Sequence, residues 1–229
     1  MNRTLAVIRM HSLNRFGWFF LPWIIMFSSF VINLGIAVLG QPEGGVTTGG
    51  LASAYIYFFV MGIVIPADTF SFSLGLGVRR KDYFWGTNAM FGLVAVGSAI
   101  LLTLFSIVEN ATSGWGVDLH FFHLPFLSDG TVLNWLWVHF VGIVFCYASG
   151  LVIASIYRRL GRNSLYVFFF AMIVIGSLGS YLMTTYGLWR DLFDFFSGYT
   201  ASGFAGWLML VSLVYVGVSY GLFRRATVQ

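Results

Sequence analysis

Six long stretches of the chain contain no charged residue, and they constrain its fold more than any other feature. Each stretch is longer than the roughly 20 apolar residues that a helix needs to cross the roughly 30 Å hydrocarbon core of a bilayer. A helix also satisfies its own backbone hydrogen bonds, as lipid requires. We therefore predict an all-α polytopic membrane protein with six transmembrane helices. The predicted spans lie near 17–39, 51–73, 88–108, 133–156, 165–187 and 204–223.

The composition agrees with a membrane protein. Hydrophobic residues make up 59% of the chain and charged residues only 9%, against about 25% charged residues in a soluble domain. The apolar runs continue to both ends, so we predict a single transmembrane domain over 1–229. The net charge of +4 comes from small basic groups between the spans and not from one stripe, which argues against nucleic acid as a partner. Cys146 is the only cysteine, which excludes an intramolecular disulfide.

The basic residues predict the orientation. Eleven of the twelve Lys and Arg residues lie in the N-terminal segment, in the loops after the second and fourth spans, and in the C-terminal tail. Arg190 alone lies on the other side. Because cytoplasmic loops carry the excess of positive charge, we predict a multi-pass protein of the plasma membrane with both termini in the cytoplasm. The first apolar stretch is too long for the hydrophobic region of a signal peptide.

Two short segments are expected at the membrane surface. Residues 1–16 are typical of a short interfacial helix, with His11 on a polar face. The opposite, apolar face carries Ala6, Met10 and Leu13. Residues 188–203 mix aromatic and charged side chains, too apolar for a free loop and too charged to span. We predict a short helix there that dips into the outer interface, or alternatively a plain surface helix.

Enzyme functions have little support in the sequence. The only lysine, Lys81, is outside the Gly-Lys-Ser/Thr context of a phosphate-binding loop. Only His139 lies in a predicted span, whereas haem ligation by paired histidines needs two. His120 and His123 have neither helical spacing nor a fixed third metal ligand, so we interpret them as loop residues. We therefore predict no enzyme activity, no cofactor and no metal site in this chain.

Asp68 is the only carboxylate within the predicted spans. A charge at the bilayer centre costs about 2.5–3.5 kcal/mol, but Asp68 lies only roughly 12 Å from the cytoplasmic end of its helix. It also follows Pro66, whose ring frees a backbone carbonyl. We favour a structural role, in which Asp68 pairs with a cytoplasmic-side arginine or a backbone group, over contact with a transported substrate.

The segment 75–87 reads Gly-Leu-Gly-Val-Arg-Arg-Lys-Asp-Tyr-Phe-Trp-Gly-Thr. It contains three consecutive cations and three consecutive aromatic residues: Arg79, Arg80, Lys81, Tyr83, Phe84 and Trp85. The cations hold the loop in the cytoplasm, and the aromatic side chains offer apolar area that fits a partner's groove. The alternative is a basic juxtamembrane loop that only sets topology, with its aromatic residues at the membrane interface.

This segment resembles the loop after the second span in membrane subunits of type-2 ATP-binding-cassette (ABC) exporters. In bacterial members that loop reads like Gly-Val-Thr-Arg-Arg-Asp-Phe-Phe-Leu-Gly. The positions that match in register are Gly77, Val78, Arg80, Asp82, Phe84 and Gly86. Lys81 and Tyr83 are conservative changes, whereas Arg79 and Trp85 depart from the threonine and leucine of the pattern. The arrangement of six spans with an N-terminal interfacial helix is also similar.

The resemblance implies the permease subunit of a bacterial exporter, in which 77–86 is a coupling helix seated on a separate ATPase subunit. It implies two permease subunits, either identical or different, and two ATPase subunits. ATP and Mg²⁺ would bind to the ATPase partner and not to this chain. ATP-driven closure of the ATPases would shift the permease between inward- and outward-facing states.

The resemblance also implies a substrate path between the second and fifth spans, with Tyr57, Met61, Met172 and Tyr181 as lining candidates. Spans rich in Phe, Tyr and Met suit an apolar or amphipathic substrate, unless these side chains face lipid. Two alternatives remain open: a stand-alone secondary transporter or channel, and a membrane scaffold or immunity protein that transports nothing. The first usually carries inverted repeats or several buried ionisable groups, which the sequence does not show.

Overall fold

Helices make up most of the part of the chain described by this computed structural model, which is residues 3–40, 44–128 and 130–226. One short pair of strands joins two of the loops. In chain order the elements are α1 (Arg3–Leu13), a π-helical turn (Phe16–Phe20), α2 (Leu21–Gly40), β1 (Val46–Thr47), α3 (Ala52–Gly75), α4 (Arg80–Ala111), a short turn (Gly114–Asp118), β2 (Leu119–His120), α5 (Val132–Leu160), α6 (Arg162–Thr185), α7 (Trp189–Ser197) and α8 (Ala201–Phe223).

Six helical segments of the described residues are long and apolar enough to cross a membrane, which confirms the predicted all-α polytopic fold. They are the π-helical turn with α2, followed by α3, α4, α5, α6 and α8. Their bounds lie within a few residues of the predicted spans, except that α4 begins at Arg80 and not near residue 88. The hydrocarbon core limits only the central part of a helix, so charged residues are tolerated in turns that extend beyond it.

The backbones of α3 and α5 touch where two glycines face each other. A Cβ atom on Gly62 would lie 2.3 Å from the carbonyl oxygen of Tyr147, and one on Gly150 would lie 2.1 Å from the carbonyl oxygen of Phe59. Small residues at such crossings let membrane helices approach closely and gain van der Waals contact. Because α5 also packs along α4 and α8, it is the central helix of the bundle.

The segment between α4 and α5 is organised around the buried carboxylate of Glu109. Its oxygens accept hydrogen bonds from the backbone N–H groups of Phe121 at 3.0 Å, Phe122 at 2.9 Å and His123 at 2.7 Å. The indole N–H of Trp115 donates a fourth bond at 2.8 Å. These bonds satisfy a charge that would otherwise be costly to bury, and they tie the loop to the end of α4. The same loop supplies β2, which pairs in parallel with β1.

The helices α6 and α7 differ from the others because neither buries a residue. The contacts of α6 with the bundle are made mainly with α5. In a membrane the remaining surface of α6 is covered by lipid or by another protein. The segment 188–203 forms the short helix α7 as predicted, and its insertion into the outer interface stays a prediction.

Candidate partner-binding surface and membrane groove

The segment 77–86 comprises the turn between α3 and α4 and the first turns of α4. Gly77 has φ +79° after the last turn of α3, and Arg79 is extended, with φ −72° and ψ 144°. From Arg80 the helix continues without a break to Ala111. The structure therefore differs from the prediction of a separate coupling helix. No proline separates the segment from the third span, so one helix includes both.

Tyr83 and Phe84, the predicted anchors for a partner, are buried inside the chain itself. The ring of Tyr83 packs against Phe70 of α3, with the centroids 5.3 Å apart. The ring of Phe84 packs against Tyr220 of α8, with the centroids 5.2 Å apart. Both side chains fill the core of this chain, so they are not available to a second subunit in this structure. Trp85, in contrast, is 49% exposed.

Gly86 lies where α1 crosses α4. A Cβ atom on Gly86 would lie 2.6 Å from Cβ of Val7 and 2.9 Å from the carbonyl oxygen of Thr4, so a larger residue would push the two helices apart. One turn further along α1, Nε2 of His11 is hydrogen-bonded to Oγ1 of Thr87 at 2.9 Å. The glycine of the predicted coupling segment thus allows α1 to support the start of α4.

The buried face of α1 is not the predicted apolar face. Val7 and His11 are buried, whereas Leu13 is exposed, because α1 packs against α4 with the face that carries His11. The ring of His11 also lies against Trp18, with the centroids 5.0 Å apart. Burial lowers the pKa of His11 to about 4, so its imidazole is neutral at neutral pH.

The exposed residues at the start of α4 form a cationic surface together with the end of α8. We call this surface the basic end, and it consists of Arg79, Arg80, Lys81, Trp85, Tyr220 and Arg224. Nη1 of Arg80 donates to the carbonyl oxygen of Arg224 at 3.5 Å, and the rings of Trp85 and Tyr220 lie 5.9 Å apart. A cavity of about 360 Å³ opens between the two helix ends. Sequence reasoning missed the contribution of α8, although the tail arginines lie on the same predicted side of the membrane.

Two of the four predicted path residues, Tyr57 and Met61, line one groove together with Asp68. The groove has a volume of about 350 Å³ and lies between α3 on one side and α1 with the start of the first span on the other. We call it the α3 groove. The hydroxyl of Tyr57 donates to the carbonyl oxygen of Gly17 at 2.5 Å, which ties the two sides together.

The other two path candidates lie elsewhere. Met172 and Tyr181 are on α6 and are 57% and 66% exposed. They line a shallow depression on the surface of that helix. Within one chain, the structure does not bring the four candidates together.

Asp68 makes no ion pair and no side-chain hydrogen bond with the described part of the chain. Arg158 of α5 is buried and reaches the same stretch of α3. Its guanidinium donates to the carbonyl oxygens of Pro66 and Ala67 and to Oγ of Ser71 at 3.0 Å. The predicted pairing of Asp68 with an arginine or a backbone group is therefore not found among the described residues. Arg158 contacts the backbone next to Pro66 instead, and the carboxylate of Asp68 stays exposed in the α3 groove.

The buried histidine of α5 belongs to a hydrogen-bond chain across three helices. Ser106 donates to the carbonyl oxygen of Phe122 at 2.9 Å, so its oxygen is left to accept from Nε2 of His139 at 3.4 Å. The other ring nitrogen then accepts from the hydroxyl of Tyr55 at 2.8 Å. In this arrangement His139 donates to Ser106 and does not act as its base, so this hydrogen-bond network positions the loop between α4 and α5.

The two loop histidines make separate contacts. Nε2 of His120 lies 3.4 Å from Oδ1 of Asp118, and the ring of His123 packs edge-on against Trp135, with the centroids 4.6 Å apart. Burial lowers the pKa of His123. Among the described residues, no three His, Cys, Asp or Glu side chains lie close enough together to hold a metal ion.

Comparisons with protein-family models, with curated proteins and with solved structures find no match to this chain.

Proposed function

We propose that this chain is the permease subunit of an ABC exporter and that its basic end receives a separate ATPase subunit. The observation that carries the proposal is the exposure of Trp85 and three consecutive cations at the start of a helix long enough to cross the membrane. The sequence there is similar to the family's coupling segment. The excess of basic residues on this side orients the basic end toward the cytoplasm.

The continuity of α4 supports a mechanical role for the basic end. A helix of 32 residues is about 48 Å long at 1.5 Å per residue, so a push on its first turns also moves its distant end. The contact with α1 at Gly86 and the aromatic contacts of Tyr83 and Phe84 make these turns a rigid part of the bundle. Closure of the ATPase subunits would therefore move α4 together with α1 and the ends of α3 and α8.

ATP hydrolysis belongs to the partner in this proposal. Lys81 lies on the exposed basic end and lacks the glycine-rich context that places a lysine against phosphates. ATP and Mg²⁺ would bind to the ATPase subunit. The basic end supplies a cationic rim around an aromatic anchor, a combination that gives orientation and affinity at interfaces.

A second permease subunit, identical or different, completes the proposed complex. The support is α6, a span-long helix without a buried residue. Met172 and Tyr181 lie exposed on this helix. A dimer that covers α6 would place them against the second subunit. The α3 groove supplies the other two path candidates and suits an apolar or amphipathic substrate.

The partner surface is tested by the double variant Arg80→Glu with Trp85→Ala. Truncation of a well-packed aromatic anchor costs about 2 kcal/mol, or about 30-fold in affinity, and the charge reversal adds repulsion. We expect much weaker co-purification of the ATPase and loss of ATP-dependent transport. Arg9→Glu, a reversal of an exposed cation outside the basic end, the α3 groove and α6, is the matched control and should retain both.

Two outcomes would count against this proposal. One is a correctly inserted double variant that binds its ATPase and transports like the parent. The other is ATP-independent transport by the purified chain, which would favour a stand-alone transporter. Phe84→Ala is unsuitable for the test, because that side chain fills the core and its loss should destabilise the fold by about 3 kcal/mol or more.

A further inference from the structure

The α3 groove combines apolar walls with a single carboxylate near one end. Tyr57, Val60, Val64 and Asp68 follow one another at intervals of three or four residues, so they form one stripe along α3. From Tyr57 to Asp68 the stripe covers about 16 Å at 1.5 Å per residue. Val60 and Val64 are 41% and 43% exposed. The groove therefore has a long apolar stripe with a negative charge near one end.

No side chain of the described part of the chain neutralises that charge. Asp68 is exposed in the groove and takes part in no ion pair there. His11 also lines the groove, but burial lowers its pKa to about 4, so it is uncharged at neutral pH. Asn14 is polar and neutral. A lone carboxylate beside apolar walls is costly to desolvate unless a cation joins it.

We propose that the α3 groove binds a cationic amphiphile, with the cationic group at Asp68 and the apolar body along Val60 and Val64. The proposal rests on the proposed function in that such a compound would be the exported substrate, although binding itself requires no ATPase. An anionic amphiphile would meet repulsion at Asp68. A neutral one would leave the carboxylate without a partner.

A weakly hydrated organic cation is the appropriate probe, because its charge is cheap to remove from water. Tetraphenylphosphonium is such a cation, and tetraphenylborate has nearly the same size and shape with the opposite charge. The full chain is placed in nanodiscs of zwitterionic phosphatidylcholine. Equilibrium dialysis then gives the amount of each probe bound, after subtraction of the amount that partitions into empty nanodiscs.

We expect saturable binding of tetraphenylphosphonium to the parent chain and at least about a tenfold higher Kd for Asp68→Asn. Asp191→Asn removes an exposed carboxylate on α7, outside the groove, and should leave the Kd unchanged. Tetraphenylborate should show no saturable binding to the parent. Equal Kd values for the parent and a folded Asp68→Asn variant would overturn the proposal.

A second variant keeps the test decisive if Asp68→Asn fails to fold. Val64→Trp leaves the carboxylate in place and fills the middle of the apolar stripe, so it should also abolish saturable binding. Retention of binding by Val64→Trp would mean that the cation is held elsewhere. ATPase co-purification does not depend on whether the α3 groove binds a cation. The groove proposal can therefore fail while the proposed function holds.

Discussion

At the scale of single residues, the buried carboxylate of Glu109 shows how a charge is held inside the chain. Glu109 is fully buried and accepts four hydrogen bonds, three of them from backbone N–H groups of the following loop. Bonds to a charged acceptor contribute about 1.5–3 kcal/mol each. This arrangement has no signal in the sequence, because three of the donors are backbone N–H groups, which do not depend on the residue type.

His11 should make stability depend on pH. Its pKa is lowered to about 4 in the folded chain from the ordinary 6.5, so between these values the unfolded chain binds more protons. Stability should therefore be full above pH 6.5 and fall by about 3 kcal/mol as the pH decreases to 4. The measurement is the unfolding free energy in detergent as a function of pH.

The variant His11→Gln isolates this contribution. Glutamine retains a side-chain amide for Thr87 and does not titrate, so its stability should fall less steeply between pH 6.5 and pH 4. Carboxylates elsewhere titrate in both proteins and cancel in the comparison. Parallel pH profiles for the parent and the variant would show that His11 does not respond to pH in this way.

At the scale of secondary-structure elements, close helix contacts depend on particular glycines. Gly62→Ala would place a methyl group 2.3 Å from the carbonyl oxygen of Tyr147, so α3 and α5 must separate and lose contact along their crossing. We expect a loss of about 2 kcal/mol or more, the usual size of an overpacking defect. Thermal unfolding in detergent measures it.

Gly97→Ala is the matched control for the helix crossing. Gly97 lies on α4 with no atom within 4 Å of its would-be Cβ, and alanine favours a helix by about 1 kcal/mol over glycine. We expect this variant to be as stable as the parent or more stable. If both alanine variants unfold at the same temperature as the parent, the α3–α5 contact is not as close as described.

The elements that sequence reasoning predicted correctly are those with a strong one-dimensional signal. Hydrophobic length predicts each span, because the bilayer imposes a minimum run of apolar residues. The side of each helix that packs against its neighbours has no such signal. Tyr83 and Phe84 are buried while the adjacent Trp85 is exposed, and only the position of α8 and α3 around α4 decides which side of the helix faces inward.

The same limit applies to the candidate sites. Charge counting identified Asp68 as unusual. Only the fold shows that Asp68 lines the α3 groove and that Arg158 contacts the neighbouring backbone. The arginines of the tail carried a topology signal, but the contact of Arg224 with Arg80 requires the ends of α4 and α8 to meet. Contacts between distant parts of the chain therefore supply what local patterns do not.

At the scale of the whole molecule, the proposed assembly would cover two surfaces, the helix α6 and the basic end. Every other span-long helix buries residues inside the chain, whereas α6 buries none among the described residues. The basic end lies at one end of the bundle, where α4 and α8 meet. In the proposed complex a second permease subunit covers α6, and an ATPase subunit covers the basic end.

The most direct test of this account is the ATP hydrolysis of the complex that a tag on this chain purifies from its native membrane in mild detergent. We predict that the complex contains an ATPase subunit with a phosphate-binding loop, in equal number to the permease subunits. Hydrolysis should disappear when the lysine of that loop is replaced. A complex without any nucleotide-hydrolysing subunit, isolated from membranes that still export the substrate, would contradict the account.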